Sequence, residues 1–342
     1  MLTDMIRKLA LSSLLLAFFV VVLGAYVRLN DAGLGCPDWP GCYGELSPHH
    51  AQDEIKAAHA ADEHGPVSMH KAWKEMIHRY FASTLGLLSL IMAVLAWRRW
   101  RAQGISPGQL FALFGLICLQ GAFGAWTVTL KLMPAVVSTH LLLGLTTLGA
   151  LTWVVQRESG AARHAAGTRL AFAARTALVL LALQIALGGW VSTNYAALAC
   201  PDFPTCQNGW LPSMDFGTAF QLFRELGRTA TGELLSAAAL TAIHWSHRIG
   251  AVVVGAYLLI FGVRLMRHEA LRGLAAFLMI AVITQIALGV SNVVFALPLG
   301  VAVAHNAVAA LLVVIVVSIN FRLRAVTAGA HMERIWNERL AT

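Results

Sequence analysis

The sequence predicts an all-α integral membrane protein, with eight transmembrane helices arranged as two tandem four-helix bundles related by a pseudo-twofold axis along the membrane normal. Composition, the length of the apolar stretches and an internal repeat carry this expectation. Of 342 residues, 58% are hydrophobic and only 12% are charged, and the mean hydropathy is +0.68, outside the range of soluble globular chains.

A helix rises 1.5 Å per residue, so about 20 apolar residues cross the hydrocarbon core. Stretches of that kind occur at 8–28, 77–97, 108–128, 135–155, 172–192, 236–263, 274–295 and 301–321. The segment from Met1 to Gly24 has basic residues before an apolar run, as a secretory signal does. No small-residue cleavage site follows it and seven further spans do, so it reads as the first helix. An even number of spans puts both termini on one side. Arg7/Lys8, Arg98/Arg99/Arg101, Arg157/Arg163/Arg169/Arg175, Arg264/Arg267/Arg272 and Arg322/Arg324 all fall on that side, which the positive-inside rule makes cytoplasmic. The expected location is a bacterial-type inner (cytoplasmic) membrane. The net charge of +8 is thereby an orientation signal beside membrane lipid, and no nucleic-acid partner is expected.

Four of the five cysteines, Cys36/Cys42 and Cys200/Cys206, lie in the opposite, outer loops, where disulfides persist. Each pair could close a short disulfide loop, as a staple for a Pro-containing turn or as a thiol pair that exchanges redox equivalents. Cys118, in mid-helix, reads as a small core residue.

The first and fifth helices run into VVLGAYVRLNDAGLGCPDWPGC (21–42) and IALGGWVSTNYAALACPDFPTC (185–206), in register at an offset of 164. Gln120 and His140 stand 20 apart, as do Gln285 and His305, at an offset of 165. Two halves follow, 1–160 and 161–342. Each repeat spans an even number of helices, so the halves have the same orientation. Gly121/Gly124 and Gly188/Gly189 would let helices approach closely.

His78-Arg79 opens the second helix and His140 the fourth, 62 residues on; His247-Arg248 opens the sixth and His305 the eighth, 58 on. Histidine inside a membrane segment is costly and points to function. Four of them, in two matched pairs near the outward helix ends, suit haem iron held at both axial positions. Zinc or copper would need further Cys, His or carboxylate ligands at the same depth. A proton relay would need a titratable chain, and the inner half of these helices is almost purely apolar.

Glu75 stands three residues before His78, on the same helix face. There it is either a proton acceptor or cation stabiliser at the bound group, or a solvated acid favoured by the helix dipole. The matching position before His247 holds His244, read as a hydrogen-bonding neighbour. Arg79, Arg248 and Arg28 either meet haem propionates or face headgroups. His49, His50, His59, His64 and His70, interspersed with acids, read as a solvated outer loop. No role is assigned to His164, His268 or His331.

With GAYVRLNDAGLGCPDWPGC after the first helix, EMIHR at the second, STHLLLG at the fourth, HWSHRIGA at the sixth and VAVAHNAVA at the eighth, the chain resembles the haem A synthase family along nearly its whole length. The resemblance implies oxidation of a methyl group of haem O to the formyl group of haem A by successive hydroxylation, for cytochrome oxidase assembly. It places the substrate haem O between His78 and His140, haem b iron on His247 and His305, and Glu75 in the catalytic position. The pairs Cys36–Cys42 and Cys200–Cys206 resemble those of members with disulfides in both outer loops. Implied partners are the haem O synthase that supplies substrate and an electron-transfer partner. The competing readings are a di-haem cytochrome b that only transfers electrons and a haem carrier.

Overall fold

A computed structural model of the chain describes residues 2–164 and 167–324; His331 lies outside them. Among the described residues there are eight helices long and apolar enough to span a membrane. In chain order these are α1 (Leu2–Leu29), α3 (Met69–Gln103), α4 (Gly108–Thr129), α5 (Pro134–Glu158), α6 (Thr168–Thr193), α8 (Ala237–Leu265), α9 (Arg272–Val294) and α10 (Leu299–Arg322); the short helices α2 (Gln52–Ala61) and α7 (Phe216–Ala219) lie between them.

The helix α3 begins eight residues before the apolar stretch that announced it. Ser68 supplies the start: its side chain accepts from the Lys71 N–H, meeting one of the orphan donors of a first turn. At the other end Gly104 closes the helix in the left-handed conformation, φ 68°, which glycine adopts without a Cβ clash. The early start matters for function, because it places Glu75 within the helix rather than in a loop.

The spanning helices form two rings. In the first, α1 and α4 each pack on both α3 and α5, while α3 and α5 occupy opposite corners; in the second, α6 and α9 pack on both α8 and α10 in the same way. The rings meet through α5 on α10, α1 on α10 and α5 on α6. Exchanging every helix for its repeat counterpart leaves this set of pairings unchanged, as a twofold axis between α5 and α10 requires.

Close packing at that seam follows from small residues. A Cβ on Gly149 would stand 3.3 Å from Val317, and the neighbouring Leu148, Leu151 and Val316 are fully buried. In a bilayer the association of helices rests on such van der Waals fit more than on apolar burial. Phe172, Val252 and Phe277 point outward and are well exposed, as side chains that meet lipid are. Cys118 corrects an expectation: it is exposed on the outer surface of α4, not a core residue.

Candidate functional site

The helices α3 and α5 carry His78 and His140; α8 and α10 carry His247 and His305. Within each ring these are the opposite corners, so each pair points across its bundle. The members of each pair lie within electrostatic reach of one another.

Each imidazole rests on a glycine of an adjacent helix. A Cβ on Gly24 of α1 would stand 3.0 Å from His78 Cε1, and one on Gly188 of α6 3.0 Å from His247 Cε1; Gly124 of α4 and Gly289 of α9 relate to His140 and His305 at 3.2 Å. Contacts that close leave no room for a methyl group unless the ring shifts. Gly124 and Gly188, expected to serve helix approach in general, thus make beds for histidine rings.

The donor set suits a haem. Among the described residues no three His, Cys, Asp or Glu side chains gather to hold a metal ion, so each bundle offers two imidazoles and no third ligand. Nδ1 of His78, His140 and His305 is buried without a hydrogen-bond partner, and an orphaned buried polar atom calls for an explanation. Imidazoles are ligands that haem iron would accept, and these two pairs would be the residues to hold it.

Above each pair sits a cysteine turn, and the two turns are built alike. Cys36 is bonded to Cys42 and Cys200 to Cys206, with Cα atoms 4.9 and 4.6 Å apart. Inside the first turn the Asp38 carboxylate accepts from the N–H groups of Tyr43 and Gly44, both at 2.7 Å. Inside the second, Asp202 accepts from Gln207 N at 2.6 Å, Asn208 N at 3.1 Å and the Thr205 hydroxyl. These donors lower the pKa of Asp202, the Thr205 hydroxyl contributing most. The aspartates were not singled out from sequence, although both occur in the repeated Cys-Pro-Asp.

The turns are fastened to the helices by the residues flanking the histidines. Glu75, whose side chain is only 6% exposed, accepts from Cys36 N at 3.0 Å and from Arg79 Nη2 at 2.6 Å. Its counterpart His244 takes the same two positions: Nδ1 faces Cys200 N at 3.2 Å and Nε2 faces Arg248 Nε at 3.3 Å. A carboxylate accepts from both donors. A neutral imidazole has a single acceptor nitrogen, which agrees with the longer distances in the second half.

Arg79, Arg248 and Arg28, read as meeting either propionates or headgroups, contact the turns and the seam between the halves. Arg79 Nη1 donates to the carbonyls of Asp38 at 2.9 Å, Pro40 at 3.3 Å and Gly41. Arg248 donates to Asp202 and Thr205, each at 2.8 Å, and to Cys200 at 2.7 Å. A planar guanidinium suits such a fan of carbonyls. Arg28 donates to the Ser192 carbonyl at 2.7 Å and lies 4.2 Å above the Tyr195 ring, while the Tyr195 hydroxyl donates to Asp31 at 2.7 Å. Both hydrogen bonds join residues 164 apart, the repeat offset itself, so repeat-equivalent positions meet each other where the halves adjoin.

Fold and site together define a polytopic helical membrane protein with two histidine pairs beside disulfide-closed turns. Comparison with known proteins is more specific. Residues 7–317 match the cytochrome oxidase assembly protein family. The heme A synthase of Shewanella oneidensis is 42% identical over 91% of this chain and 94% of its own length. That of Novosphingobium aromaticivorans is 31% identical over 86% and 88%, and that of Rhizorhabdus wittichii 28% identical over 87% and 88%. The chain belongs to the haem A synthase family of cytochrome oxidase assembly proteins.

Proposed function

We propose that the protein oxidises haem O to haem A, with the two rings dividing the work: residues 1–160 bind the substrate haem and residues 161–342 retain haem b. The observation that carries the proposal is the exchange of one residue on a duplicated frame. Glu75 and His244 hold equivalent turns through equivalent contacts, so the frame does not by itself require an acid. The acid stands one helical turn from His78, where a substrate edge would lie.

His78 and His140 would hold the substrate haem, and His247 and His305 haem b. The haem supplies the redox chemistry when bound; the protein orients it, keeps water away and manages protons. Glu75 has two of its roughly four lone-pair positions filled by Arg79 and Cys36. The rest leave the carboxylate able to take a proton from, or stabilise positive charge on, the substrate methyl carbon. Arg79 and Arg248 set the height of the cysteine turns above the rings, and Arg28 stands between the halves, within the region where propionates of either haem would reach the outer surface. The twofold axis lies along the membrane normal, both termini are cytoplasmic and the cysteine turns face outward. A haem O synthase is the expected supplier of substrate, and a separate electron-transfer partner serves haem b.

The test is to express the chain with and without a source of haem O, extract the pigment and identify it by mass spectrometry. The hydroxymethyl or formyl product is expected, and loss of product in Glu75→Ala with haem still bound. Haem O returned unchanged from well-assembled protein would instead support a di-haem cytochrome or a haem carrier.

A further inference from the structure

The two halves differ in how their histidine rings are held, and the difference is confined to a few positions. Gln184 of α6 brings Nε2 within 3.0 Å of both Nδ1 and the carbonyl oxygen of His247. Gln285 of α9 instead brings Nε2 to 3.2 Å from Nε2 of His305, whose Nδ1 has no partner. In the first half Gln120, in register with Gln285, donates to the His140 carbonyl at 2.9 Å and leaves the ring alone. The register position of Gln184 is 184 − 164 = 20, occupied by Val20, which has no polar group to offer His78.

A second position changes with the first. Gln184 Oε1 lies 2.2 Å from where a Cβ on Gly250 would stand, so a side chain there would displace the amide from its present position. The counterpart of Gly250, three residues after the histidine, is Phe81, whose ring packs edge-on against Phe19 at 5.0 Å. One half has glutamine beside glycine; the other has valine, and Phe81 in place of the glycine.

We infer that Gln184 is a positioning residue that locks the His247 ring of the cofactor half, and that Val20, at its repeat position, leaves His78 unlocked so that the substrate haem can enter and leave. This rests on the assignment of halves under Proposed function. An imidazole that gives Nε2 to a metal carries its proton on Nδ1 and is oriented by the acceptor that proton meets. Gln184 Oε1 is buried without a partner. Turning the Gln184 amide end for end brings Oε1 to the Nδ1 proton of His247, giving up the bond to the His247 carbonyl. His78 Nδ1, like Nδ1 of His140 and His305, is buried with no acceptor, and its ring packs against Gly24. A cofactor that stays and a substrate that must be released need these opposite arrangements.

The experiment uses the full chain, purified with haem bound, and measures haem transfer to excess apomyoglobin together with the low-spin electron paramagnetic resonance signal, which reports imidazole orientation. Gln184→Leu should speed haem b release about ten-fold, the size of one neutral hydrogen bond, and shift the resonance. Val20→Gln combined with Phe81→Gly should slow release of haem O from the first half by a similar factor without changing haem b. Release rates and resonance within two-fold of the parent in both variants, with spectra otherwise intact, would overturn the inference. A parent protein whose haem signal does not depend on His247 and His305 would overturn the assignment of halves, and the inference with it.

Discussion

Glu75 is held by a loop donor and a helix donor, so its substitutions separate charge from architecture. Glu75→Gln keeps an acceptor for Cys36 N–H and removes the charge that pairs with Arg79. It should leave haem b spectra and membrane insertion intact while haem A production falls at least a hundred-fold, within the range for loss of a general base. Glu75→Ala removes both contacts and leaves Arg79 buried beside the turn, 11% exposed; breaking a buried pair in this way costs about 3–5 kcal/mol. Thermal unfolding followed by haem absorbance would show the alanine variant destabilised and the glutamine variant near the parent. Equal destabilisation of the two would mean that charge, not the hydrogen bond to Cys36, holds the turn. Glu75 was visible in the sequence through its spacing from His78, but its burial was not. The contact to Cys36 crosses 39 residues, and nothing in local periodicity encodes it. Gln184 escaped notice for a related reason: one glutamine in an apolar helix carries no signal until it is aligned with Gln120 and Gln285, each four residues before a glycine, and the series is seen to fail at Val20.

Among the elements, the helices carrying glycine beds and the cysteine turns make distinct predictions. Gly188→Ala would press on His247 Cε1 and should abolish the haem b spectrum, whereas Gly24→Ala, pressing on His78, should spare haem b and impair substrate conversion. Gly115 lies on α4 with no heavy atom within 4 Å of its would-be Cβ, so Gly115→Ala should be neutral or stabilising by up to about 1 kcal/mol. Absorption spectra and product analysis of the three proteins check this, and loss of haem b in Gly24→Ala would contradict the separation of the sites. The second cysteine turn depends on an ionised Asp202, whose pKa is lowered chiefly by the Thr205 hydroxyl. A carboxyl depressed in the folded state adds stability above its unfolded pKa and loses it as pH falls through the folded value. Protease nicking near 200–209 should therefore stay low at neutral pH and rise only below the ordinary carboxylate range; in Asp202→Asn it should already be high at pH 7. The eight apolar stretches announced all eight spanning helices because hydropathy and length decide bilayer crossing. The polar first two turns of α3 and the short α2 in the histidine-rich loop fell below that signal: an N-cap at Ser68 and docking of Ile55, fully buried, stabilise them instead of hydropathy.

For the whole molecule, the paired halves and the side each faces are linked, since a parallel repeat puts both cysteine turns on the same surface. Arginine distribution predicts that this surface is the outer one, and the four half-cystines and Cys118 provide a direct probe. In intact spheroplasts, a membrane-impermeant maleimide should label nothing before reduction, because Cys36, Cys42, Cys200 and Cys206 are fully buried in disulfides. After mild reduction all four should label from outside, in both halves together. Cys118 is exposed but lies within the span of α4, so it should react only with an apolar, membrane-permeant reagent, which serves as an internal control for intact membranes. Labelling of one pair from outside and the other only after lysis would place the turns on opposite faces. That result would rule out the parallel repeat, and with it a common depth for the two histidine sites. Labelling of both pairs only after lysis would keep the parallel repeat and reverse the orientation, placing both sites toward the cytoplasm.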